Sequence, residues 1–430
     1  MMERREFIKT SAMIAGMSLL KNDTLTAGFL PAPDVKPVKI GFIGCGDRGT
    51  GVISTMSANN NIHITALADL FRDRMDTALP VVNQLNKNRN FAAVEDKHVY
   101  IGADAYRSLL LESDTDAVLI STPAYAHPFI FEAAVAAGKH VYCEKPAAPD
   151  VYGTLRMMKA AANVKNQSLV LGFQIRYASP YVELVRRIHR GDIGEVVSVQ
   201  LYYNSCEVPR KTQLDPASDE FRIRNHFHYL SLSGGILSDQ GIHILDVCNW
   251  ALKATPLYAV GMGGRKGNMG FGDTLTNYQV LYKYPDDINV SIQTSQLGPV
   301  FGDVCARFIG TKGYAEVHYD GNIFIRGENE WNTGAEPAIS GAEPQSASNQ
   351  SPFGIKLDST LYDADINKGK SFIQSIESGQ YLNQLATACE STLTAHLGRE
   401  AVLQNKTLSW KKLVASNQRT DPKLNLEKFR

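Results

Sequence analysis

A glycine-rich hexapeptide directly after an apolar strand constrains the fold of this chain more than any other feature. Val38–Ile43 is a short apolar run typical of a buried strand, and it leads into Gly44-Cys45-Gly46-Asp47-Arg48-Gly49. The G-x-G-x-x-G spacing predicts a tight turn that opens a helix, whose free N–H groups can hold a dinucleotide pyrophosphate. The first glycine allows the turn, the second admits the phosphates, and the third allows close packing of helix on strand.

The next strand ends in an acidic residue where such a cofactor site requires one. Residues 62–68 are a second apolar run, and Asp69 follows twenty residues after the last glycine. A carboxylate at this position accepts hydrogen bonds from the adenosine ribose hydroxyls and repels a 2′-phosphate, so the expected cofactor is NAD. Arg72 and Arg74 stand close by and leave NADP possible.

Strand-then-helix units continue along the chain. Asp116–Ser121 and Lys139–Cys143 are apolar runs on either side of the helical stretch Phe129–Ala137. This alternation predicts a parallel sheet with helices on both faces. We therefore expect an α/β protein whose residues 35–170 form an N-terminal Rossmann domain that binds NAD.

Beyond Val196 the pattern changes to longer alternating runs, which are typical of antiparallel strands. These runs are Val197–Tyr203, Thr276–Tyr284, Ile288–Ser295, Ala306–Ile309, Tyr314–Tyr319 and Ile323–Arg326. Residues 171–430 are thus expected to form an α+β substrate-binding domain with an open, mainly antiparallel sheet. Helices are expected from about Lys368 to Gln404 and should pack back on the first domain, whereas Gly334–Gln350 is expected to be a loop.

The composition excludes several classes of partner. Lys and Arg balance Asp and Glu at 44 each, and no block of like charge suggests nucleic acid or a membrane surface. The 6 cysteines stand far apart without a metal-binding spacing, so no metal site is expected. Most of them should be buried, although an oxidising compartment would permit a disulfide between partners that the sequence does not identify.

Residues 1–34 are typical of a twin-arginine export signal and linker. Arg4-Arg5-Glu6-Phe7-Ile8-Lys9 precedes the apolar stretch Ser11–Leu20, which is too short to span a bilayer stably. We therefore expect a soluble periplasmic protein with no membrane anchor. Because this route exports folded proteins, NAD should leave the cytoplasm tightly bound and be recycled in the active site.

Five motifs together carry a family resemblance. They are Gly44–Gly49, Thr122-Pro123 with His127, Glu144-Lys145-Pro146, Gly172–Tyr177, and Gly234–Asp239 with His243. The set resembles the Gfo/Idh/MocA family of oxidoreductases over about residues 39–412. The resemblance implies NAD(P)-dependent hydride transfer at a secondary hydroxyl of a sugar, sugar derivative or cyclic polyol. It also implies a homo-oligomer formed through the outer face of the C-terminal sheet.

Three residues are expected to carry the chemistry. Lys145 follows a parallel strand at its carboxyl end, where ligands of open α/β sheets bind. Asp239 and His243 are four residues apart, so on a helix they share one face and the carboxylate can orient the imidazole. A neutral histidine can accept the hydroxyl proton of a substrate alcohol, while Lys145 stabilises the developing negative charge. The resemblance implies these same roles for Lys145, Asp239 and His243.

The remaining candidate residues fall into two sets. The predicted cofactor-binding residues are Gly44, Cys45, Gly46, Asp47, Arg48, Asp69, Ser121, Thr122, Pro123, His127, Glu144, Lys145 and Gln174. The predicted substrate-binding residues are Lys145, Arg176, Tyr177, His226, His228, Asp239 and His243. In a strand His226 and His228 would share a face, but no nearby carboxylate or cysteine completes a metal site with His243, so sugar recognition is favoured.

Two other functions stay open at this point. A glycosidase that keeps its NAD would oxidise a ring hydroxyl, eliminate the aglycone and then reduce the sugar again. The resemblance disfavours this reading, because such relatives usually lack lysine at the position of Lys145. A non-catalytic sugar sensor on the same fold is disfavoured by the intact Lys145, Asp239 and His243.

Overall fold

A parallel sheet forms the first half of the protein. In the computed structural model, which describes residues 36–267, 270–298, 302–319, 321–332 and 360–429, this sheet has six strands. They are β1 (Val38–Ile43), β2 (Ile62–Asp69), β3 (Val99–Ile101), β4 (Ala117–Ile120), β5 (His140–Cys143) and β6 (Leu169–Leu171). Their order is β3-β2-β1-β4-β5-β6 and every neighbouring pair is parallel. This is the Rossmann order, which confirms the fold expected for the N-terminal part.

Helices cover both faces of this sheet. They are α1 (Asp47–Asn59), α2 (Arg72–Asn88), α3 (Ala105–Glu112), α4 (His127–Ala136) and α5 (Val151–Ala161). Successive side chains of β1 enter two separate cores: Phe42 packs in the cluster on one face and Ile43 in the cluster on the other. Such two-sided burial explains why the strands are almost continuously apolar in sequence.

A second sheet of nine strands forms the other half. Its strands are β7 (Val196–Ser205), β8 (Tyr258–Gly264), β9 (Asn277–Lys283), β10 (Asn289–Gln296), β11 (Asp303–Gly310), β12 (Gly313–His318), β13 (Ile323–Gly327), β14 (Trp331–Asn332) and β15 (Leu408–Ser409). The order is β14-β13-β12-β11-β7-β10-β9-β8-β15, and all neighbours are antiparallel except β7 and β10. The expected open, mainly antiparallel sheet is therefore confirmed.

Side chains of the second sheet alternate between a buried and an outer face. On β7, Val199, Leu201 and Tyr203 are buried in the main core, whereas the residues between them are partly exposed. The helices of this half are α6 (Ser179–Arg190), α7 (Asp219–Arg224), α8 (Leu230–Ser233), α9 (Ile242–Leu252), α10 (Ala364–Glu377), α11 (Leu385–Leu403) and α12 (Trp410–Ser416). Alternation thus directs one face of the sheet toward the core.

Helix α10 of the C-terminal segment packs on the first sheet. Phe372 and Ile373 of α10 belong to the same buried cluster as β1, and Ser375 of α10 forms a 2.6 Å hydrogen bond with Ser168, directly before β6. The described residues from Pro37 onward accordingly form one unit. The long C-terminal segment therefore brings side chains to a site that begins near residue 44.

The described residues bear on three further expectations. All six cysteines are free thiols and five are buried, so most are core residues as expected and none forms a disulfide. Among the described helices, none combines the length and apolarity needed to cross a membrane. The predicted export signal and the predicted loop Gly334–Gln350 lie outside the described residues.

Candidate active site

The glycine-rich turn has the shape that a pyrophosphate requires. Gly44 has φ of 88°, and a Cβ on it would lie 2.6 Å from the backbone of Ser121 and Thr122. A Cβ on Gly49 would lie 2.5 Å from a backbone oxygen of the same turn, whereas a Cβ on Gly46 would meet nothing within 4 Å. The first and third glycines are therefore needed for packing, and the second leaves open space for a ligand.

Asp69 fixes the turn from the end of β2. Its Oδ2 accepts a 2.7 Å hydrogen bond from the backbone N–H of Cys45, and its Oδ1 accepts a 2.8 Å bond from that of Phe71. Burial raises the pKa of Asp69, while these hydrogen bonds and the nearby Arg74 act in the opposite direction. Arg74 itself pairs with Asp47 at 3.2 Å. The carboxylate thus connects the strand end with the turn, where the cofactor ribose is expected.

The loop after β4 leaves a buried hydroxyl unsatisfied. Thr122 Oγ1 is buried and has no hydrogen-bond partner among the described residues. His127 lies with Nδ1 2.7 Å from the carbonyl oxygen of Pro146 and Nε2 2.7 Å from that of Thr122. His127 therefore ties together the loops after β4 and β5. An unpaired buried hydroxyl on a residue that adjoins Gly44 of the glycine-rich turn fits a bound nucleotide, which would supply its missing partner.

Three predicted cofactor-binding residues join one ionic network. Arg48 donates to both carboxylate oxygens of Asp365 at 2.9 and 3.0 Å, to Gln174 at 2.7 Å and to Glu144 at 3.2 Å. Lys368 Nζ lies 2.7 Å from Asp365 and 3.7 Å from Glu144. Burial alone would raise the pKa of Glu144, but Arg48 and Lys368 hold it below its ordinary value. The network fixes the residue directly before Lys145.

Lys145 and Asp239 form a largely buried ion pair. Lys145 Nζ donates to the backbone oxygen of Asp239 and lies 3.6 Å from its Oδ1, with the two side chains 15% and 13% exposed. The Lys145–Pro146 peptide bond is cis. Burial raises the pKa of Asp239, and the Lys145 charge counteracts this rise. Two of the three predicted catalytic residues are therefore in contact.

His243, the third predicted catalytic residue, is buried near this pair in a setting that favours the neutral imidazole. Its Nδ1 is buried without a hydrogen-bond partner among the described residues, and its ring stacks on Tyr203 at 6.3 Å. Burial, and next the charge of Lys145, lower the pKa of His243 well below its ordinary value. Asp239 is expected to orient the His243 imidazole, but in the structure it pairs with Lys145 instead. A π-helical turn at Leu237–Gly241 widens the helix between the two residues, which disturbs their four-residue spacing.

Two predicted substrate-binding residues are held by internal partners. Arg176 makes a bidentate pair with Asp246 at 2.8 and 2.7 Å, and the Asp246 side chain is fully buried. The Tyr177 hydroxyl lies 2.9 Å from the Gln384 amide oxygen. Asp246 therefore has a structural role, because it holds the Arg176 guanidinium. Direct contact of Arg176 and Tyr177 with substrate stays a prediction.

His226 and His228 lie in a 3₁₀ turn rather than in a strand. His226 is 3.1 Å from the carbonyl oxygen of Ile223, and burial lowers its pKa to about 4, with Lys145 among the further causes. His228 is 3.1 Å from the carbonyl oxygen of Val208. The prediction that His226 and His228 share one face of a strand is therefore wrong, because both residues lie in a helical turn. Of the two, His226 is the one close to Lys145.

The segment from the end of β7 through α7 reaches the loops of the cofactor site. Arg224 bonds both oxygens of Asp73 at 2.7 and 2.9 Å and lies 4.0 Å above the Phe71 ring. Lys211 lies 3.5 Å from Asp47. Local sequence patterns do not reveal these contacts, because the contacting residues are about 150 positions apart in the chain.

The C-terminal tail reinforces that segment. Arg222 donates to the backbone oxygens of Pro422 at 2.7 Å and Lys423 at 2.9 Å. Phe429 packs edge-on against Phe71 at 5.6 Å. The loop directly after Asp69 is therefore covered by two distant parts of the chain.

Comparisons with known proteins assign the family. A family model described as an oxidoreductase family with an NAD-binding Rossmann fold matches residues 38–173, and a model of the GFO/IDH/MocA C-terminal domain matches residues 181–316. The chain belongs to the Gfo/Idh/MocA family. Together the two models match more than half of the chain, and they agree with the parallel and the mixed sheet described above.

Individual relatives are distant. The chain is 27% identical to inositol 2-dehydrogenase/D-chiro-inositol 3-dehydrogenase of Shouchella clausii over 50% of this chain and 53% of that protein. It is 25% identical to inositol 2-dehydrogenase of Rhizobium meliloti over 80% and 89%, respectively. It is also 25% identical to glycosyl hydrolase family 109 protein 2 of Shewanella sp. strain ANA-3 over 53% and 51%. The match thus spans about half the length of several of these relatives.

Solved structures show the same fold. The apo scyllo-inositol dehydrogenase of Lactobacillus casei superposes with a TM-score of 0.64 at 19% identity, covering 87% of this chain and 99% of that one. A levoglucosan dehydrogenase in complex with NADH and levoglucosan has a TM-score of 0.65 at 18% identity, with the same coverage. At this identity the likeness concerns the fold.

Proposed function

We propose that this protein is an NAD-dependent dehydrogenase that acts on a secondary hydroxyl of a sugar, sugar derivative or cyclic polyol. The observation that carries the proposal is the placement of Lys145 beside the buried, neutral His243, at the carboxyl edge of a parallel sheet that also bears the glycine-rich turn. Relatives named as inositol dehydrogenases support the substrate class. Levoglucosan, bound in a structural neighbour, is likewise a cyclic compound rich in hydroxyls.

NAD would be held by the Gly44–Gly49 turn, Asp69 and Thr122, and it supplies a hydride acceptor. Lys145 binds the substrate oxygen and stabilises the negative charge that develops on it. His243 accepts the hydroxyl proton, since burial favours its neutral imidazole. Asp239 is a positioning residue, because it holds the Lys145 ammonium through the contacts at its backbone oxygen and its carboxylate.

A turnover assay tests this proposal. The purified protein is incubated with myo-inositol, scyllo-inositol, levoglucosan, glucose and aryl glucosides while the nicotinamide absorbance and the released aglycone are both followed. Reduction of the nicotinamide by an unsubstituted sugar or polyol supports the dehydrogenase. Failure of every compound to reduce the cofactor, although NAD is bound, would overturn the proposed substrate class.

A glycosidase that retains its NAD is the second candidate. It is favoured by the relatives named glycosyl hydrolase family 109 proteins. The same Lys145 and His243 would serve the oxidation, and the acidified neighbouring C–H would lose its proton as the aglycone leaves. Water would then add to the resulting double bond, and the hydride held on the cofactor would return to the ketone. Aglycone release without net formation of NADH in the assay identifies this function, whereas ligand binding without either signal identifies a sugar sensor.

We further propose that the protein works in the periplasm with a retained cofactor. The Arg4-Arg5 motif supports export of the folded chain. The contacts of Arg224 with Asp73 and Phe71 support retention, because they cover the loop after Asp69. A reporter fused to residues 1–34 should reach the periplasm, and its Arg4→Lys/Arg5→Lys variant should stay inside; equal export of both would contradict this route.

We also propose that the chain forms a homo-oligomer through the outer face of its C-terminal sheet. Tyr258, Val260, Met262 and Leu281 expose apolar side chains there, of which Met262 is 74% exposed. Clustered apolar side chains on a sheet face are typical of an interface. Light scattering should give a multiple of the chain mass that falls in Met262→Lys/Leu281→Lys; a monomeric wild-type protein would refute this proposal.

A further inference from the structure

Three potential metal ligands meet on the outer face of the nine-stranded sheet, in a cluster formed by Asp303, Cys305 and His318. Asp303 and Cys305 are alternate residues of β11 and therefore point to the same side. His318 of β12 stands directly opposite Cys305 in the antiparallel register. The ligand atoms of all three side chains lie within 4.8 Å of one another, and His318 Nδ1 is 3.0 Å from Asp303 Oδ1.

We propose that this cluster binds a divalent metal ion of the zinc class. A thiolate, an imidazole nitrogen and a carboxylate oxygen are the ligand types that zinc selects, and they exclude magnesium and calcium, which prefer oxygen ligands alone. Ligands that share one zinc ion lie about 3–4 Å from each other, since each is about 2.0–2.3 Å from the ion. The observed cluster needs only small side-chain movements to reach that geometry.

The surroundings of His318 have the form of a metal-site outer shell. Its second ring nitrogen, Nε2, lies 2.6 Å from Glu316 Oε1, while Nδ1 lies 3.0 Å from Asp303 Oδ1. Glu316 is in turn bound by Arg307, which also donates to Gln200 at 3.0 Å. A carboxylate on the far nitrogen commonly fixes the tautomer of a metal-binding histidine and increases its basicity. Glu316 therefore supplies what His318 needs to present Nδ1 to a metal.

The site is separate from the proposed active site. Tyr203 of β7 faces the core and stacks on His243, whereas the preceding residue, Tyr202, points to the opposite face and pairs in register with Cys305. Cys305 is buried, but His318 is 18% and Asp303 40% exposed, so an ion can enter from the outer face. Three protein ligands leave a fourth position for water or for a ligand from another molecule.

Cobalt substitution of the full-length protein tests the proposal. The metal-free protein is titrated with Co²⁺, and the thiolate-to-cobalt charge-transfer band is followed in the near ultraviolet. We expect a band that saturates at about one ion per chain, is abolished in Cys305→Ser and His318→Asn, and is unchanged in the matched control Cys206→Ser, whose thiol is partly exposed. Competition with Zn²⁺ should remove the band.

A milder variant separates metal binding from folding. Glu316→Gln keeps the shape of the side chain and all three ligands, so it should fold and bind zinc about 10–100-fold more weakly. Asp303→Asn removes an exposed ligand and should also weaken binding while the thermal unfolding of the metal-free protein stays cooperative. Absence of the band in the wild-type protein, or a band of equal strength in Cys305→Ser, would overturn the proposal, whatever the outcome of the dehydrogenase assay.

Discussion

Replacement of Lys145 by methionine should abolish most of the chemistry without releasing NAD. The variant keeps the length and the apolar part of the side chain and removes one charged hydrogen-bond donor to the reacting oxygen. Loss of such a donor in a site shielded from water costs about 2.7–4 kcal/mol, or roughly 10²–10³-fold in turnover. The 15% exposure of Lys145 makes solvent screening of this charge small.

Loss of the ion pair with Asp239 should lower the activity of Lys145→Met further. Asp239 is 13% exposed and would lose its ionic partner, so its pKa, already raised by burial, should rise further. NAD should stay bound, because the glycine-rich turn and Asp69 are untouched. Lys159→Met, at an exposed position of α5, is the matched control.

The assay compares the single-turnover reduction of bound NAD in the three proteins and measures the NAD content of each after dialysis. Lys145→Met should retain NAD and lose the reduction rate, and Lys159→Met should retain both. A rate for Lys145→Met within about tenfold of wild type, which is about 1.4 kcal/mol, would refute the assigned role.

Three further predictions concern the turn, the base and the internal ion pair. Gly46→Ala should unfold at the wild-type temperature, since its Cβ meets no protein atom, but it should lose NAD, because the Cβ enters the space left for the ligand. Gly49→Ala should be destabilised by about 1–3 kcal/mol, because its Cβ would lie 2.5 Å from a backbone oxygen. Equal melting temperatures of the two variants would contradict this distinction. The acid limb of the kcat/KM pH profile should lie below pH 6.5, because the pKa of His243 is lowered and the imidazole loses activity as a base only when it is protonated. An acid limb above pH 6.5 would exclude His243 as the base. Asp246→Ala should lower the free energy of unfolding by about 3–5 kcal/mol by leaving Arg176 unpaired, and urea denaturation showing a loss under about 1 kcal/mol would refute a buried pair.

Features encoded over short stretches of sequence could be predicted. The glycine-rich turn, Asp69 and the parallel strands follow from local spacing and apolar runs, and the structure places them as expected. Alternation also identified most strands of the second sheet. It missed β8 (Tyr258–Gly264), because its three glycines weaken the pattern of a strand.

Features that depend on distant contacts could not be predicted. Asp365 reaches Arg48 across 317 residues, and no local pattern indicates this partner. The π-helical turn at Leu237–Gly241 alters the four-residue spacing of Asp239 and His243, and the local sequence pattern does not indicate it. The Asp303, Cys305 and His318 cluster joins two strands, so a search for metal-binding spacings along one segment does not find it.

Transfer of deuterium to the bound nicotinamide tests the central claim most directly. The purified holoenzyme is incubated with compounds of the assay panel that carry deuterium on their ring carbons, and the extracted cofactor is analysed by mass spectrometry. Hydride transfer at the Lys145 and His243 site predicts deuterium in the nicotinamide ring for the wild-type protein and its loss in Lys145→Met. Consumption of a panel compound with an unlabelled nicotinamide, or equal labelling in Lys145→Met, would contradict the account.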